Sequence, residues 1–174
     1  PTEEYFCLLT VENPSGIEFE RIEGDHVGAL TDEDVEVVSA FYQNTPIVPS
    51  VICNQFPNVW SISISSSNVQ NLTPAAFAGC RNLRQLFLQS NEISAVPANT
   101  FANSPQLAII DLSSNRISEL HGDSFTGTAI EMMEIAFNNL TEFNPNWFTS
   151  INSTLTFLDL MQNRITELPS GAFG

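Results

Sequence analysis

A pattern of nineteen residues recurs five times along this chain, and it constrains the fold more than any other feature of the sequence. Three copies read L-x-x-[LI]-x-L-x-x-N-x-I-x-x-[LV]-x-x-x-x-F, at 83–101, 107–125 and 155–173. Two looser copies fall into the same register at 59–77 and 130–148. The copies begin 24, 24, 23 and 25 residues apart, at Val59, Leu83, Leu107, Ile130 and Leu155. A period of this length is typical of a solenoid, in which each repeat forms one coil and stacks on the next.

The apolar positions of the pattern predict how one coil is built, and we number the nineteen positions slots 1 to 19. Slots 4 and 6 are apolar on either side of a more variable slot, which is typical of a strand with one buried face. Slots 11 and 14 are apolar again and should return to the same core after the chain turns. Slot 19 is phenylalanine in all five copies and should pack the far wall, at Phe77, Phe101, Phe125, Phe148 and Phe173. We therefore expect one strand per coil, joined into a parallel sheet.

Slot 9 is asparagine in four of the five copies, at Asn91, Asn115, Asn138 and Asn163. A coil bends sharply there, which leaves backbone groups buried without partners. An inward amide can both donate and accept, so these side chains are expected to form a ladder between coils. A bond of this kind left unmade costs about 1–3 kcal/mol. The first copy has Ser67 instead, a weaker substitute, so that coil is expected to be less regular.

The remaining segments predict caps, because no coil can bury its own apolar side. Residues 1–34 are interpreted as an N-terminal cap with a β-hairpin, in which the turn "ENPSG" joins "YFCLLTV" to "IEFERI". Residues 35–58 are interpreted as a degenerate entry coil, and residues 59–174 as the five repeats. The sequence after the last phenylalanine offers no cap. We therefore expect an N-terminal part of a longer protein, or a partner that covers this end.

The repeats resemble those of the typical class of animal extracellular leucine-rich repeat proteins, which have 24-residue units and the L-P-x-x-x-F ending found here at 168–173. The resemblance implies an α/β fold: a leucine-rich repeat solenoid, or horseshoe, with a parallel concave sheet and a convex side of short 3-10 helices and turns. The stretch "NTPIVPSVICNQFPNVWSI" at 44–62 is similar to the entry coils of mosquito and other insect immune leucine-rich repeat proteins. The family implies recognition of a protein or a pathogen surface, and no catalysis. The chain departs from many relatives because it lacks a four-cysteine N-terminal cap.

The charge of the chain excludes several classes of partner. Twenty acidic residues face five basic ones, all arginine, and the net charge is −15. Nucleic acid and anionic membrane surfaces both need clustered cations, so neither is an expected partner. Eleven of the acidic residues lie between Glu3 and Glu36. Asp32, Asp34 and Glu36 alternate as calcium ligands can, but the glycine and distal glutamate of an EF-hand loop are missing, so no metal or cofactor is predicted.

Cysteines and glycosylation sequons favour a secreted or extracellular protein. Three N-x-[ST] sequons occur, at Asn71, Asn139 and Asn152, and lysine is absent. The three cysteines allow one internal disulfide. Cys53 with Cys80 is the first candidate, because both lie near the convex side of neighbouring coils, and Cys7 with Cys53 is the second. The remaining cysteine could be buried as a small apolar residue or could link two chains.

The outward slots of the strands predict a binding surface on the concave face. Slot 3 becomes apolar as Ile109, Met132 and Phe157, and slot 5 becomes acidic as Asp111, Glu134 and Asp159, with Phe87 ahead of them. Slots 7 and 8 add Ala136, Phe137 and Met161 to the outward set. A contiguous strip of exposed apolar side chains is typical of an interaction surface, although missing C-terminal repeats could also cover it. We predict that the face binds a surface that is both basic and apolar.

Two functions other than recognition of a foreign ligand are considered for this sequence. The open C-terminal coil or the concave strip could instead contact a second copy, in an assembly or dimerisation module of a larger protein. Catalysis is not expected, because the chain has no glycine-rich phosphate loop and no G-x-S-x-G motif, and His26 and His121 have no motif neighbours. His121 occupies slot 15, where a turn residue is expected.

Overall fold

The computed structural model describes residues 5–10, 22 and 30–172. Nine short strands, three 3-10 helices and one α-helical turn lie within them. The strands are β1 (Phe6–Leu8), β2 (Val37–Phe41), β3 (Ser61–Ser65), β4 (Gln85–Phe87), β5 (Ala95–Val96), β6 (Ile109–Asp111), β7 (Glu119–Leu120), β8 (Met132–Glu134) and β9 (Phe157–Asp159). The helical segments are the 3-10 helices Asp32–Asp34, Pro74–Phe77 and Pro145–Ile151, and α1 (Ile52–Gln55).

Seven of these strands form one parallel sheet in the order β1-β2-β3-β4-β6-β8-β9. The pairing reproduces the register of the repeat: Leu86 lies beside Ile110, Ile110 beside Met133, and Met133 beside Leu158. These residues all occupy slot 4. The entry coil continues the same array, because β2 pairs in parallel with β3 over five residues. The horseshoe fold that the repeats imply is confirmed.

A single apolar core runs along the solenoid behind the sheet. The side chains of slots 4, 6, 11 and 14 are fully buried in the second and third repeats, as at Leu86, Leu88, Ile93 and Val96. The slot 19 phenylalanines stack behind them, with ring centroids 5.0 Å apart between Phe77 and Phe101 and 6.0 Å apart between Phe101 and Phe125. Such aromatic pairs contribute about 0.5–1.5 kcal/mol beyond the area that they bury. Phe173, the last of the column, lies outside the described residues.

The slot 9 asparagines form the predicted ladder. Asn115 Nδ2 donates to the Leu88 carbonyl of the preceding coil at 2.9 Å and to the Leu112 carbonyl of its own coil at 3.1 Å. Its Oδ1 accepts the N–H of Ile93 at 3.0 Å. Asn91, Asn138 and Asn163 make the same set of contacts one coil apart. Each amide thus satisfies backbone groups that the bend would otherwise bury without partners.

The coil with Ser67 departs from the other repeats in one place, in line with the prediction. Its strand, β3, pairs residue for residue with β2. At slot 10, however, Asn68 has a left-handed φ of 62°, and slot 10 of no other repeat has a positive φ. The Ser67 hydroxyl donates to the Ser65 carbonyl at 2.8 Å but lies 3.4 Å from the Ala40 carbonyl of the preceding coil, so it replaces the asparagine amide only in part. The N–H of Thr45 in that preceding coil is accepted by the Ser67 backbone carbonyl, at 2.9 Å.

The convex side consists of short helical segments and turns. The 3-10 helices Pro74–Phe77 and Pro145–Ile151 begin with proline, whose fixed φ suits a first helical position. Strands β5 and β7 form a separate two-stranded parallel pair. Cys53 in α1 and Cys80 in the following coil form a disulfide, with their Cα atoms 4.9 Å apart. This disulfide is the first of the two pairings predicted from the sequence. Cys7 is a half-buried free thiol.

The N-terminal segment adds a strand to the sheet and ties to the entry coil. β1 pairs in parallel with β2, placing Cys7 beside Val38 on the inward side. The second strand of the predicted hairpin lies outside the described residues apart from Ile22, which exchanges two hydrogen bonds with the Gln55 side chain, at 2.8 and 2.7 Å. His26 is also outside them. The division at 34 and 58 stays a prediction.

The acidic residues before β2 have local structural partners. Asp34 Oδ2 accepts the backbone N–H of Thr31 at 2.8 Å and its hydroxyl at 3.0 Å, as part of a capping box on the 3-10 helix Asp32–Asp34. Asp32 accepts from Gln55 Nε2 at 3.2 Å. Two of the three alternating carboxylates are thus engaged in hydrogen bonds of the chain itself.

Candidate functional site

The predicted rows of the concave face are formed by directly paired residues of neighbouring strands. Met132 pairs with Ile109 on one side and with Phe157 on the other, which makes the apolar row. Glu134 pairs in the same way with Asp111 and Asp159, which makes the acidic row, and Phe87 precedes it beside Asp111. Parallel strands lie about 4.8 Å apart, so successive side chains in each row are neighbours in space.

Four apolar side chains at the C-terminal end of this face are exposed. They are Met132, Phe137, Phe157 and Met161, which we call the C-terminal apolar patch. Of the two phenylalanines in this patch, Phe137 is the more exposed, with 52% of its surface open to solvent. Ile109 and Phe87 are half-buried and border the patch. Ala136 was expected to face outward but is buried, as is the similarly small Ser65 at slot 7 of the first repeat.

The acidic row holds its carboxylates in different ways. Asp111 Oδ1 accepts the backbone N–H of Ser113 at 2.8 Å and its hydroxyl at 2.5 Å. Asp159 Oδ1 accepts the N–H of Met161 at 2.8 Å. Glu134 lies between them, and the described residues give its carboxylate no donor or ion-pair partner. Partial burial, and then the negative charges of Asp111 and Asp159, raise the pKa of Glu134. A cationic group at this row would relieve the repulsion.

A second exposed patch lies at the opposite end of the same face. It consists of Leu8 on β1 with Phe41 and Tyr42 at the end of β2, and we call it the N-terminal aromatic patch. Its residues fill slots 5, 7 and 8 of their coils. Sequence reasoning missed it because the outward slots of the entry coil were not read. The signal was available, since the slot numbering that starts at Val35 places Phe41 and Tyr42 outward.

Exposed large apolar side chains are concentrated on the concave face. The part of the chain that the structure describes has nine of them, and seven belong to the two patches. The other two, Leu30 and Leu168, lie away from the sheet. Scattered exposure is normal for a protein surface, whereas clustering on one face is typical of an interaction site.

Slot 8 has a left-handed backbone in all six coils. The φ angles are between 51° and 60°, at Tyr42, Ser66, Ser90, Ser114, Phe137 and Gln162. The conformation directs the slot 8 N–H to the slot 7 carbonyl of the next coil, as from Phe137 to Met161 at 2.8 Å. Left-handed φ is unfavourable for bulky side chains. Two of the six positions nevertheless hold an aromatic ring, and both rings are exposed.

The other predicted sites are dispersed. Asn71 and Asn152 are exposed, and Asn139 is half-buried at the rim of the face, where its Nδ2 donates to the Arg116 carbonyl at 3.3 Å. His121 lies in a turn and accepts the N–H of Asp123 at 3.1 Å. Within the described ranges, no three His, Cys, Asp or Glu side chains are grouped to hold a metal ion. No helix among those residues has the length and hydrophobicity needed to cross a membrane.

Comparison with protein families identifies the repeat directly. The profile of the family described as Leucine rich repeat matches residues 57–117 and 105–165. Leucine-rich repeat-containing G-protein coupled receptor 5 of Xenopus tropicalis is 33% identical over 97 residues, which are 55% of this chain. Human Leucine-rich repeats and immunoglobulin-like domains protein 1 is 28% identical over 113 residues, or 65% of the chain. Each match covers about one tenth of that relative's own length.

Solved structures share the fold. The leucine-rich repeat domain of APL1 superimposes with a TM-score of 0.74 at 20% identity, over 97% of this chain and 43% of that one. TLR13, in complex with ssRNA13, gives a TM-score of 0.73 at 20% identity, over 82% of this chain and 20% of the other. Toll, in its complex with Spatzle, gives 0.64 at 17% identity, over 76% and 22%.

Proposed function

Because the chain belongs to the leucine-rich repeat family, generally a non-enzymatic protein-interaction fold, we propose that it is an extracellular recognition module that binds a protein partner on its concave face. The contact is made by the C-terminal apolar patch and the acidic row beside it. The partner presents a surface that is basic and apolar, belonging to a protein or to the surface of a pathogen.

The clustering of exposed apolar residues carries this proposal. Seven of the nine exposed large apolar side chains among the described residues lie on one face of the sheet. Burying apolar surface yields about 25 cal/mol per Å², so this face has more to gain from a partner than the rest of the described surface. The adjacent acidic row adds charge selectivity, because a basic group is favoured there and an acidic one is repelled.

A protein ligand fits the charge better than a nucleic acid does. TLR13, which has the same fold, is in complex with a single-stranded RNA, and Toll is in complex with the protein Spatzle. This chain carries a net charge of −15 and no lysine, whereas phosphate binding needs clustered cations. Of the two kinds of ligand, a protein is therefore the one that this surface would attract.

The extracellular setting and a role in immunity are part of the same proposal. The disulfide between Cys53 and Cys80 and three sequons, at Asn71, Asn139 and Asn152, are compatible with a secreted glycoprotein. Toll and its complex with Spatzle are described as a hub of development and innate immunity in Drosophila. A function of the innate-immunity type follows by analogy with such relatives.

Two single substitutions test the proposal. Met132→Asp removes apolar surface from the patch, and Glu134→Lys reverses the charge at the centre of the acidic row. Immobilised wild-type protein and both variants are exposed to extracellular fluid of the source organism, and each retained protein is quantified. Specific partners should be lost from both variants and retained by Leu168→Asp, which changes an exposed apolar residue away from the sheet. If both variants retain the same partners as the wild type, the proposal is disproved.

A structural role in assembly is the alternative, and the clustering of exposed apolar side chains on one face is compatible with it as well. A second copy of the chain that docks on the concave face would bury Met132, Phe137 and Phe157. Light scattering across a concentration series separates the two functions, because an assembly module should associate as concentration rises. A monomer at all concentrations would count against self-association.

A further inference from the structure

We infer that the partner reaches the N-terminal aromatic patch as well as the C-terminal apolar patch, through one extended cationic segment that crosses the strands of the concave face. The inference rests on the proposed function, and it adds a second contact and the chemistry and length of the segment that joins them.

Tyr42 is the first reason to assign a role to the N-terminal aromatic patch. Its side chain is 86% exposed, and its φ is 56°. The left-handed backbone allows a hydrogen bond from its N–H to the Ser65 carbonyl at 3.3 Å, which any residue except proline could donate. A left-handed residue with a Cβ costs about 1–2 kcal/mol, and an exposed ring returns almost nothing through burial. The fold therefore gives no reason for a tyrosine there, and unfavourable conformations of this kind cluster at functional sites.

Phe137 repeats the same combination at the other end of the face. It occupies slot 8 of the fourth repeat, has a φ of 56° and is exposed. The three coils between Tyr42 and Phe137 have serine at slot 8, namely Ser66, Ser90 and Ser114. Two aromatic rings are thus held outward at equivalent positions, four coils apart, with small side chains between them.

The surface between the two rings is lined by small side chains. Of the three slot 8 serines in the intervening coils, Ser90 and Ser114 are exposed and Ser66 is half-buried. Strand β3 also has serine at all of its outward positions, with Ser65 beside Phe41 and Ser63 beside Phe87. A segment that crosses the strands along the slot 8 row therefore meets no large slot 8 side chain between Tyr42 and Phe137.

Charge determines which residues the crossing segment carries. Beyond the serines it passes Asp111 and Glu134 of the acidic row. Two of the described arginines already have side-chain partners: Arg84 donates to Gln106 Oε1 at 3.3 Å, and Arg116 pairs with Glu92 at 2.7 Å. Lysine or arginine is therefore favoured in the part of the segment that approaches the C-terminal apolar patch. Neutral residues are favoured over the serines.

The spacing of the patches sets the length of the segment. The coils of Tyr42 and Phe137 are four strand steps apart in the sheet. At about 4.8 Å per step the patches are separated by roughly 19 Å. An extended peptide advances about 3.3 Å per residue, so two apolar anchors should lie about six residues apart.

Synthetic peptides test this geometry without knowledge of the natural partner. The probe is a fluorescein-labelled peptide with one tryptophan near each end, about six residues apart, and two arginines next to one of them. Companion peptides have a single tryptophan, a separation of about three residues, or glutamates in place of the arginines. Fluorescence anisotropy gives the affinity of each for the wild type, Tyr42→Asn, Met132→Asp and Leu168→Asn.

The two-anchor basic peptide should bind the wild type roughly tenfold or more tightly than the single-anchor peptide, because linked contacts reinforce each other. Tyr42→Asn should reduce it to the level of the single-anchor peptide, and Leu168→Asn should change nothing. Asparagine tolerates left-handed φ, so an unfolding midpoint no lower than that of the wild type shows that the variant is folded.

The outcomes separate this inference from the proposed function. If Met132→Asp weakens binding but Tyr42→Asn does not, or if six-residue spacing gives no advantage over three, the second contact is disproved and the C-terminal site stands. If neither variant affects any peptide, or if no peptide binds, the inference is overturned, and the proposed function then depends on the partner retention described above.

Discussion

The side-chain oxygen of Asn138 accepts the backbone N–H of Ile117, 21 residues earlier in the chain, at 2.8 Å. The same amide donates to the Leu112 carbonyl at 2.9 Å. One buried side chain thus joins two coils of the solenoid, and the stability of the array can be tested at this bond.

Asn138→Ala should lower the free energy of unfolding by about 3 kcal/mol, because it leaves buried backbone groups without partners. Urea denaturation followed by circular dichroism measures the loss. Asn163→Ala should cost less, because Asn163 makes equivalent contacts in a half-buried position where water can replace them. If the two substitutions lower the free energy of unfolding equally, burial of the asparagine is not what determines the size of the loss.

Tyr42→Asn should raise the free energy of unfolding by about 1 kcal/mol, since asparagine adopts left-handed φ more readily than tyrosine. The matched variant is Tyr42→Ala, which removes the ring but keeps a residue that disfavours this backbone. Thermal and urea unfolding of both variants check the difference. If alanine stabilises as much as asparagine, the cause is the ring and not the backbone.

Removal of the disulfide should destabilise the protein by about 3 kcal/mol, because the bond closes a loop of 27 residues in the unfolded chain. The double variant Cys53→Ala/Cys80→Ala is compared with the wild type by urea unfolding, with and without reductant. Reductant should lower the midpoint of the wild type and leave that of the variant unchanged. Cys7→Ala is the control, and it should keep the response to reductant.

Glu134→Gln should stabilise the protein at about pH 7 by a few tenths of a kcal/mol, the size of a like-charge pair on adjacent strands. The folded pKa of Glu134 is raised above its unfolded value, so the native state binds the proton more tightly. Wild-type stability from this group therefore increases as pH falls through the folded pKa, and the increase is complete below the unfolded value.

The advantage of Glu134→Gln should accordingly shrink on acidification and vanish below about pH 4. Urea unfolding of both proteins across this range measures it. Glu131→Gln removes the same charge from the same coil at an exposed position outside the acidic row. If the difference in free energy of unfolding between the wild type and Glu134→Gln does not change with pH, charge repulsion within the acidic row is not its cause.

Much of the fold could be predicted because the repeat ties each slot to one physical requirement. Leu86, Ile110, Met133 and Leu158 share a slot, and in the sheet they pair with each other in that order. Asn91 and its counterparts were predictable for the same reason, since few side chains both donate and accept at a buried bend. Burial restricts which residue types a slot can hold, so buried slots can be recognised from the sequence.

The outward face was less predictable because solvent imposes no such restriction. Phe41 and Tyr42 lie in the entry coil, whose slot 9 is Gln43, so this coil does not show the ladder signature. The left-handed φ at slot 8 leaves no trace in residue type, since phenylalanine and tyrosine do not favour it. Ala136 was misplaced because a methyl at slot 7 is too short to reach solvent, whereas the long side chain of Met161 at the same slot is exposed.

The parallel register has a mechanical consequence. Each strand of the large sheet is hydrogen-bonded only to the strands beside it, so force applied at the C-terminal end would load one coil at a time. Each released coil of 24 or so residues would lengthen the chain by about 80 Å, less the width of the coil. The covalent bond at Cys80 would stop this stepwise peeling before it reached Cys53. A ligand bound to both ends of the face would connect the first and last coils, so the applied force would be distributed over all the coils between them.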